Sequence, residues 1–247
     1  MVPVKPWSVE AVARLFVGVI ATLCIGMILA GALGSSRFGI PSDRLEFLQM
    51  LVMIACFQGA ALVWMARFLH ESNMSWRQAF GLRPASRLKA ILAGLAIGVM
   101  TLPLMWLLQL ISEMTMEWMK IRPVTQAAVQ ELQSSSLSLT QKIVLGLFTI
   151  LLAPIAEETL FRGVLYPAIK QSGHPRWALW GTSILFGVMH FNMSSLTSLV
   201  VLAVILTMIY EASETLLVPV AAHSMFNAAN FFYLIFSDQI DAWLHIS

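Results

Sequence analysis

The chain has 247 residues, of which 58% are hydrophobic and 11% are charged. A soluble domain would carry about a quarter charged residues, so the composition indicates an integral membrane protein with the lipid bilayer as a partner. The net charge of +2 is too small to indicate nucleic-acid binding, and we expect no nucleic acid partner. Cys24 and Cys56 lie in separate apolar stretches without a His or Cys at ligand spacing, which indicates buried thiols rather than a disulfide or a metal site.

Three apolar stretches in the first half of the chain are long enough to cross a hydrocarbon core of about 30 Å. They cover residues 15–33, 47–66 and 90–111. The first stretch also has the form of a signal peptide, because residues 30–32 resemble a cleavage site. We interpret it as an uncleaved span.

The loop 67–89 between the second and third spans is rich in arginine and is expected on the cytoplasmic side. Its segment 74–82 is predicted to form a short interfacial helix with Trp76 and Phe80 facing lipid. A solvated connector with a buried Trp is the alternative for this segment.

The second half of the chain predicts four further spans, after a polar stretch at 113–141 that is either a lid or a tether. These spans cover residues 142–169, 177–190, 195–210 and 215–236. Pro154 lies inside the first of them and predicts a kink that frees backbone carbonyls near position 157. No repeat or second domain is visible, so we predict an all-α, polytopic transmembrane bundle of about seven spans (six to eight) in a single domain, 1–247.

The basic residues predict the orientation of this bundle. With a cytoplasmic N-terminus, ten of the fifteen Lys and Arg residues face the cytoplasm: Lys5, Arg14, Arg67, Arg77, Arg83, Arg87, Lys89, Arg162, Lys170 and Arg176. This distribution agrees with the excess of positive charge in cytoplasmic loops. We expect a multi-pass protein of the cell membrane, in a bacterium the inner membrane.

Residues 154–162 place two carboxylates and an arginine inside an otherwise apolar helix. Each such charge costs about 2.5 to 3.5 kcal/mol at the bilayer centre, so it requires a partner or a polar cavity. Glu158 and Arg162 are spaced i, i+4 and are expected to pair, whereas Glu157 points about 100° away and has no partner on its own helix. We interpret the pair as structural and Glu157 as functional.

Three further polar residues are predicted at a matching depth. Glu157 and His190 are each 13 residues from the cytoplasmic end of their spans, roughly 20 Å deep. Asn227 is roughly 18 Å deep by the same rule, and His223 lies one turn shallower on the same face. Each His or Asn taken singly is also typical of an interhelix hydrogen bond, but together with Glu157 the four predict one shared cavity.

Three motifs on successive spans carry a family resemblance. They are Glu157-Glu158-x-x-Phe161-Arg162, Phe186-x-x-x-His190 and His223-x-x-x-Asn227. In this order they resemble the CPBP family of intramembrane proteases, formerly called Abi, which includes the type II CAAX prenyl endopeptidases. The resemblance covers a motif-bearing core at about residues 140–233.

The resemblance implies a catalytic role for four residues and a supporting role for two. Glu157 would activate a water molecule that His190 helps to hold. His223 and Asn227 would form the oxyanion hole. Glu158 and Arg162 would support these groups.

The residues support two other chemistries to different degrees. A serine mechanism is not supported, because no serine in the spans has a His partner that is oriented by an Asp. A zinc site remains an alternative, with Glu157, His190 and His223 as ligands and water as the fourth, although no H-E-x-x-H helix is present. We expect no cofactor, with zinc as the second possibility.

The sequence therefore predicts an intramembrane, glutamate-dependent endopeptidase that hydrolyses a peptide bond of a membrane-associated protein or peptide. A proton-coupled transporter is one alternative, because a buried Glu with two His at one depth also builds proton relays. Such carriers commonly show internal repeats, and none is visible. A catalytically silent scaffold or bacteriocin-immunity protein is the other alternative.

Overall fold

The computed structural model describes residues 5–34, 42–82, 85–121 and 137–244, with the backbone alone at 42, 43 and 238–244. Eight helices and no β-strand occur in these ranges. The helices are α1 (Val9–Gly34), α2 (42–71), α3 (Trp76–Ala79), α4 (Arg87–Trp118), α5 (Leu139–Gln171), α6 (Pro175–Val188), α7 (Leu196–Ser213) and α8 (Leu217–Leu244). The prediction of an all-α polytopic bundle is confirmed. Most of the predicted connection 113–141 is either the end of α4 or lies outside the described residues.

Five of the helices in the described ranges are long and apolar enough to cross a membrane: α1, α2 from Arg44, α4, α5 and α7. The predicted span 177–190 is only 14 residues long as α6, about 21 Å at 1.5 Å per residue. The predicted span 215–236 lies in α8 from Leu217 onward, where His223, Asn227 and Asn230 lower the mean hydropathy.

The connections between consecutive helices place several chain segments at one end of the bundle. Lys5 Nζ donates to the Ala79 carbonyl at 2.6 Å, and the Lys5 backbone N–H donates to Gln171 Oε1 at 3.1 Å. Lys170 and Glu211 form an ion pair at 2.6 Å. Lys5 therefore lies at the same end as the described part of the connection after α2 and the turns after α5 and α7, which is the arrangement that alternating spans require.

The short helix α3 belongs to this end, and its prediction was correct in position but wrong in orientation. Ser75 caps it through a reciprocal bond with Gln78. Phe80 is buried rather than facing lipid, and Trp76 is half-buried with its ring edge-on to Phe80 at 5.5 Å. The Phe80 carbonyl accepts from Leu216 N–H, so α3 packs onto the start of α8.

Gly81 completes the contact with α8 for a steric reason. Its φ of +63° lies in the left-handed region, which favours glycine. A Cβ atom at this position would also collide with the Glu214 carbonyl oxygen. The turn after α3 can therefore approach the turn before α8 only without a side chain.

Helices α4 and α8 pack closely because of two glycines four residues apart. A Cβ on Gly94 would collide with the Val218 carbonyl, and one on Gly98 would lie 2.6 Å from the Ala222 carbonyl. This G-x-x-x-G spacing lets two backbones approach in a membrane, where small residues at an interface drive association. The contact fixes α8 against a helix from the first half of the chain.

Helix α5 contains two π turns, and each of them is followed by a proline. Phe148–Leu152 precedes Ala153 and Pro154, and Thr159–Leu165 precedes Tyr166 and Pro167. A proline inside an α-helix lacks an N–H, and its ring clashes with the carbonyl four residues earlier. A π turn before the proline is one way to accommodate it, and such turns often occur at functional sites. The carbonyl left without a helix donor is that of Thr149, eight residues before Glu157 and not near position 157 as predicted, because a proline affects the carbonyls that precede it.

Candidate active site

The predicted ion pair of Glu158 and Arg162 is present in the core. Arg162 Nη1 lies 2.8 Å from Glu158 Oε1, and the side chains are 2% and 0% exposed. Helix α7 completes the guanidinium shell, because the Ala203 carbonyl accepts from Nη2 at 2.9 Å and Thr207 Oγ1 accepts from Nε at 3.3 Å. A buried charge is tolerated when it is paired and hydrogen-bonded in this way.

Glu158 has a second partner that the sequence did not predict. His223 Nδ1 lies 2.9 Å from the same Oε1 atom that binds Arg162. Because a carboxylate held by an arginine accepts hydrogen bonds, the Nδ1 atom of His223 carries the proton and donates it. The neutral imidazole then has its lone pair on Nε2.

Glu157 and His223 face each other through their remaining atoms. Glu157 Oε2 lies 3.8 Å from His223 Nε2, beyond a direct hydrogen bond. This carboxylate oxygen is buried and has no hydrogen-bond partner in the described part of the chain. A buried acceptor without a donor is unusual in a folded protein, and a water molecule in this gap would satisfy it.

Phe186 connects the two histidines and the arginine through its ring. His190 and His223 pack against it with ring centroids 4.9 and 5.7 Å away. The Arg162 guanidinium carbon lies 4.9 Å from the same ring, a cation–π distance. His190 itself lies two residues beyond the end of α6, in a turn, and its Nδ1 donates to the Phe186 carbonyl at 2.8 Å. Its Nε2 atom is thereby left as an acceptor.

Asn227 follows His223 by one turn of α8 and makes a different contact. Its Nδ2 donates to the Thr149 carbonyl on α5 at 2.9 Å. The structure thus brings Glu157, Glu158, Arg162 and His223 into direct contact or near contact, and His190 packs against Phe186. The site residues that sequence reasoning missed are Phe186, Thr207 and the Thr149 carbonyl, although Phe186 stands in one of the motifs.

The alternative zinc site does not fit the observed arrangement. Within the described ranges, no three His, Cys, Asp or Glu side chains form a group that could hold a metal ion. The alternative ligands Glu157, His190 and His223 are therefore not grouped as a ligand set in these ranges.

Residues 139–229 match the family model described as type II CAAX prenyl endopeptidase Rce1-like. Over this range the chain is similar to the CAAX-protease-like family. The matched range runs from the first residue of α5 into α8 and contains every site residue described above. Neither the comparison with curated proteins nor that with solved structures gave a match.

The family match and the long apolar helices together indicate the general class of this protein. It is a multi-pass membrane protein, and its residues 139–229 match the model of a family of membrane endopeptidases. The family resemblance that the three short motifs carry is confirmed by the match over the continuous stretch 139–229. Helices α1 to α4 lie outside the matched range.

Proposed function

We propose that this chain is an intramembrane endopeptidase that uses Glu157 as its general base. The observation that carries the proposal is the buried, unpartnered Oε2 atom of Glu157, which lies 3.8 Å from a histidine that is itself held by a buried ion pair. A general base must lie within reach of the proton that it abstracts, directly or through one water. Its proposed substrates are membrane-associated proteins or peptides.

The proposed reaction starts with a water molecule next to Glu157. Glu157 takes a proton from this water, whose oxygen attacks the scissile carbonyl carbon. The tetrahedral intermediate then collapses with cleavage of the C–N bond, and the proton on Glu157 passes to the leaving amine. The Nε2 lone pair of His190 is suited to accept a hydrogen bond from the water and to orient it.

The role of His223 follows from its protonation. Because Nδ1–H donates to Glu158, the neutral ring has no N–H on Nε2, so it can donate to an oxyanion only as imidazolium. Glu158 would stabilise that cation, as a carboxylate stabilises the histidine of a catalytic triad. The Asn227 amide does not depend on protonation and supplies the second donor to the oxyanion.

The test is cleavage of a membrane-peptide library by the purified protein, with and without a chelator. We expect the wild type to cleave, chelator to have no effect, and Glu157→Gln to lower turnover at least about a hundredfold, the lower range for loss of general base catalysis. Glu211→Gln is the matched control, because Glu211 pairs with Lys170 at the end of the bundle. Substantial turnover by Glu157→Gln would remove Glu157 from this role.

Two outcomes would favour other functions. A folded wild-type protein that cleaves nothing would favour a proton-coupled transporter or a catalytically silent scaffold or immunity protein. Inhibition by the chelator, with recovery on addition of zinc, would favour metal chemistry.

A further inference from the structure

The Thr149 carbonyl oxygen has lost both helix amides that could reach it. At α-helical spacing the donor would be Ala153, but its N–H donates to the Phe148 carbonyl. At π-helical spacing the donor would be residue 154, which is a proline without an N–H. A carbonyl without a donor inside a membrane is costly. Asn227 Nδ2 supplies the missing donor at 2.9 Å.

This hydrogen bond joins the helix that carries the candidate base to the helix that carries His223, and it is accessible. Thr149 is exposed and Asn227 is half-buried, in contrast to the fully buried pair of Glu158 and Arg162. Asn227 stands one helical turn from His223, whose Nε2 lies 3.8 Å from Glu157. A ligand at the base can therefore reach the Asn227 amide and the Thr149 carbonyl together.

The Asn227 amide and the Thr149 carbonyl offer the same hydrogen-bonding groups as the edge of a β-strand. It presents one N–H donor beside one C=O acceptor, and two paired residues of an antiparallel ladder exchange both kinds of bond. A residue of an extended peptide offers its own C=O and N–H on the same side of the chain. Main-chain pairing of this kind is a recurring mode of peptide recognition.

We propose that the Thr149 carbonyl accepts a hydrogen bond from the backbone N–H of an extended peptide substrate, at the residue whose carbonyl is attacked. The inference rests on the proposed endopeptidase function. In the resting protein the Asn227 amide occupies the Thr149 carbonyl. When substrate binds, that amide donates to the scissile carbonyl oxygen, and the substrate N–H takes its place on Thr149.

Pro154 then has a specific role. Because it has no N–H, it leaves the Thr149 carbonyl without a hydrogen bond from α5. The substrate must also meet a requirement at the residue that carries the scissile carbonyl. The residue at the cleavage site must be extended and must carry an N–H, so proline is excluded there. These hydrogen bonds involve only main-chain groups of the substrate, so any preference for particular side chains must come from other contacts.

The experiment is a thermodynamic cycle that combines one substitution in the protein with one atom replacement in the substrate. A peptide that the wild type cleaves is compared with its depsipeptide, in which an ester oxygen replaces the N–H of the residue that carries the scissile carbonyl. This change removes a donor without adding bulk and leaves the scissile bond intact. In the protein, Pro154→Ala restores a helix N–H that can occupy the α5 carbonyls. We measure kcat and KM for all four combinations.

We expect the ester to lower kcat/KM of the wild type by roughly two- to tenfold, the effect of one hydrogen bond. Pro154→Ala should lower kcat/KM for the amide substrate by a similar factor and show no further loss with the ester. The matched control is Pro167→Ala in the same helix. Pro167 also follows a π turn, and Tyr166 before it donates to the Phe161 carbonyl. Pro167→Ala should keep the full ester penalty.

Each other result overturns the inference in a recognisable way. An equal ester penalty in the wild type and in Pro154→Ala would show that the Thr149 carbonyl does not bind this N–H. If the ester penalties are equal but Glu157→Gln is inactive, the proposed endopeptidase function stands and only the role of the Thr149 carbonyl is wrong. A wild type that cleaves no peptide would overturn both. Folding of each variant is checked by its thermal unfolding in detergent.

Discussion

Glu157 and Glu158 are neighbours in the chain but have different environments. Glu158 is fully buried and shares Oε1 between Arg162 and His223, whereas Glu157 Oε2 lies 3.8 Å from His223 Nε2. The Oε2 atoms of both carboxylates are buried without a hydrogen-bond partner in the described part of the chain. Successive residues on a helix point about 100° apart, so one carboxylate faces the ion pair and the other faces the histidine Nε2. One residue step thus separates a structural acid from the candidate base.

The buried pair gives the first prediction on stability. Glu158→Ala and Arg162→Ala should each lower the free energy of unfolding by about 3 to 5 kcal/mol, because each leaves a buried charge without its partner. The double variant should lose less than the sum of the two, since the members of one network are not additive. The measurement is thermal unfolding in detergent, as a double-mutant cycle.

The control for this prediction is an exposed pair of the same spacing. Arg67 and Glu71 are also i, i+4 and lie 2.8 Å apart at the end of α2, with the arginine side chain 68% exposed. Their replacement should change the free energy of unfolding by less than about 0.5 kcal/mol. Additive losses at Glu158 and Arg162 would contradict the buried pairing.

The pairing of Glu158 with Arg162 could be predicted because both residues belong to one helix, whose periodicity is known. The contact between Glu158 and His223 could not, because it depends on how α8 is rotated against α5. The i, i+4 spacing of His223 and Asn227 predicted a shared face, and both side chains contact α5. The spacing did not indicate that Nδ1 would be engaged by Glu158, which decides the tautomer.

At the scale of the elements, the site depends on the position of α8. This helix carries His223 and Asn227, and its backbone lies against Gly94 and Gly98 of α4. The two π turns of α5 could not be predicted from hydropathy, because they keep the helix continuous. The sequence did indicate where the disturbance lies, since Pro154 stands inside the span.

Gly98→Ala should separate α4 from α8. The added methyl would lie 2.6 Å from the Ala222 carbonyl and 2.7 Å from Met225 Cβ, so the helices must move apart. We expect a loss of about 1 to 3 kcal/mol in the free energy of unfolding, the usual cost of overpacking. Activity should fall as well, because α8 positions the histidine.

The matched control for this substitution is Gly181→Ala in α6, where a Cβ meets nothing within 4 Å. Because alanine has the higher helix propensity, this variant should be as stable as the wild type or slightly more so. Equal behaviour of Gly98→Ala and Gly181→Ala in thermal unfolding would show that the α4–α8 contact tolerates a methyl group.

At the scale of the whole molecule, the family-matched range 139–229 does not stand alone. Buried residues of α1 and α2, such as Leu15 and Met65, share one core cluster with Phe161 and Phe186. The N-terminal segment is tied to the end of α5 through Lys5. The motifs could be found from sequence because they lie within single helices, whereas this dependence on the first helices arises only from packing.

Lys5 gives a prediction on pH. Its side chain is buried, and burial lowers the pKa of Lys5 below the ordinary value of 10.5. Below the folded-state pKa both states are protonated, and the protein bears the full cost of the buried charge. Between the folded-state pKa and 10.5 the unfolded state binds more protons, so the Lys5 contribution to stability increases with pH.

The measurement compares the wild type with Lys5→Met, which keeps the apolar stem and removes the titrating group. The difference in Tm between the two proteins should shift in favour of the wild type as the pH is raised from 7 toward 10. Other groups titrate in this interval, but they are common to both proteins. A difference that stays constant over this range would contradict the lowered pKa.

The ion pair within α5 also bears on the order in which the chain is made. Synthesis runs from the N-terminus, so α5 reaches the membrane before α7 and α8 exist, and neither Thr207 nor His223 is yet available. Glu158 and Arg162 can already neutralise each other because they stand on the same helix. A nascent α5 therefore enters the lipid with one uncompensated acid, Glu157, instead of three separate charges, and the later helices add their hydrogen bonds to a segment that has already been inserted.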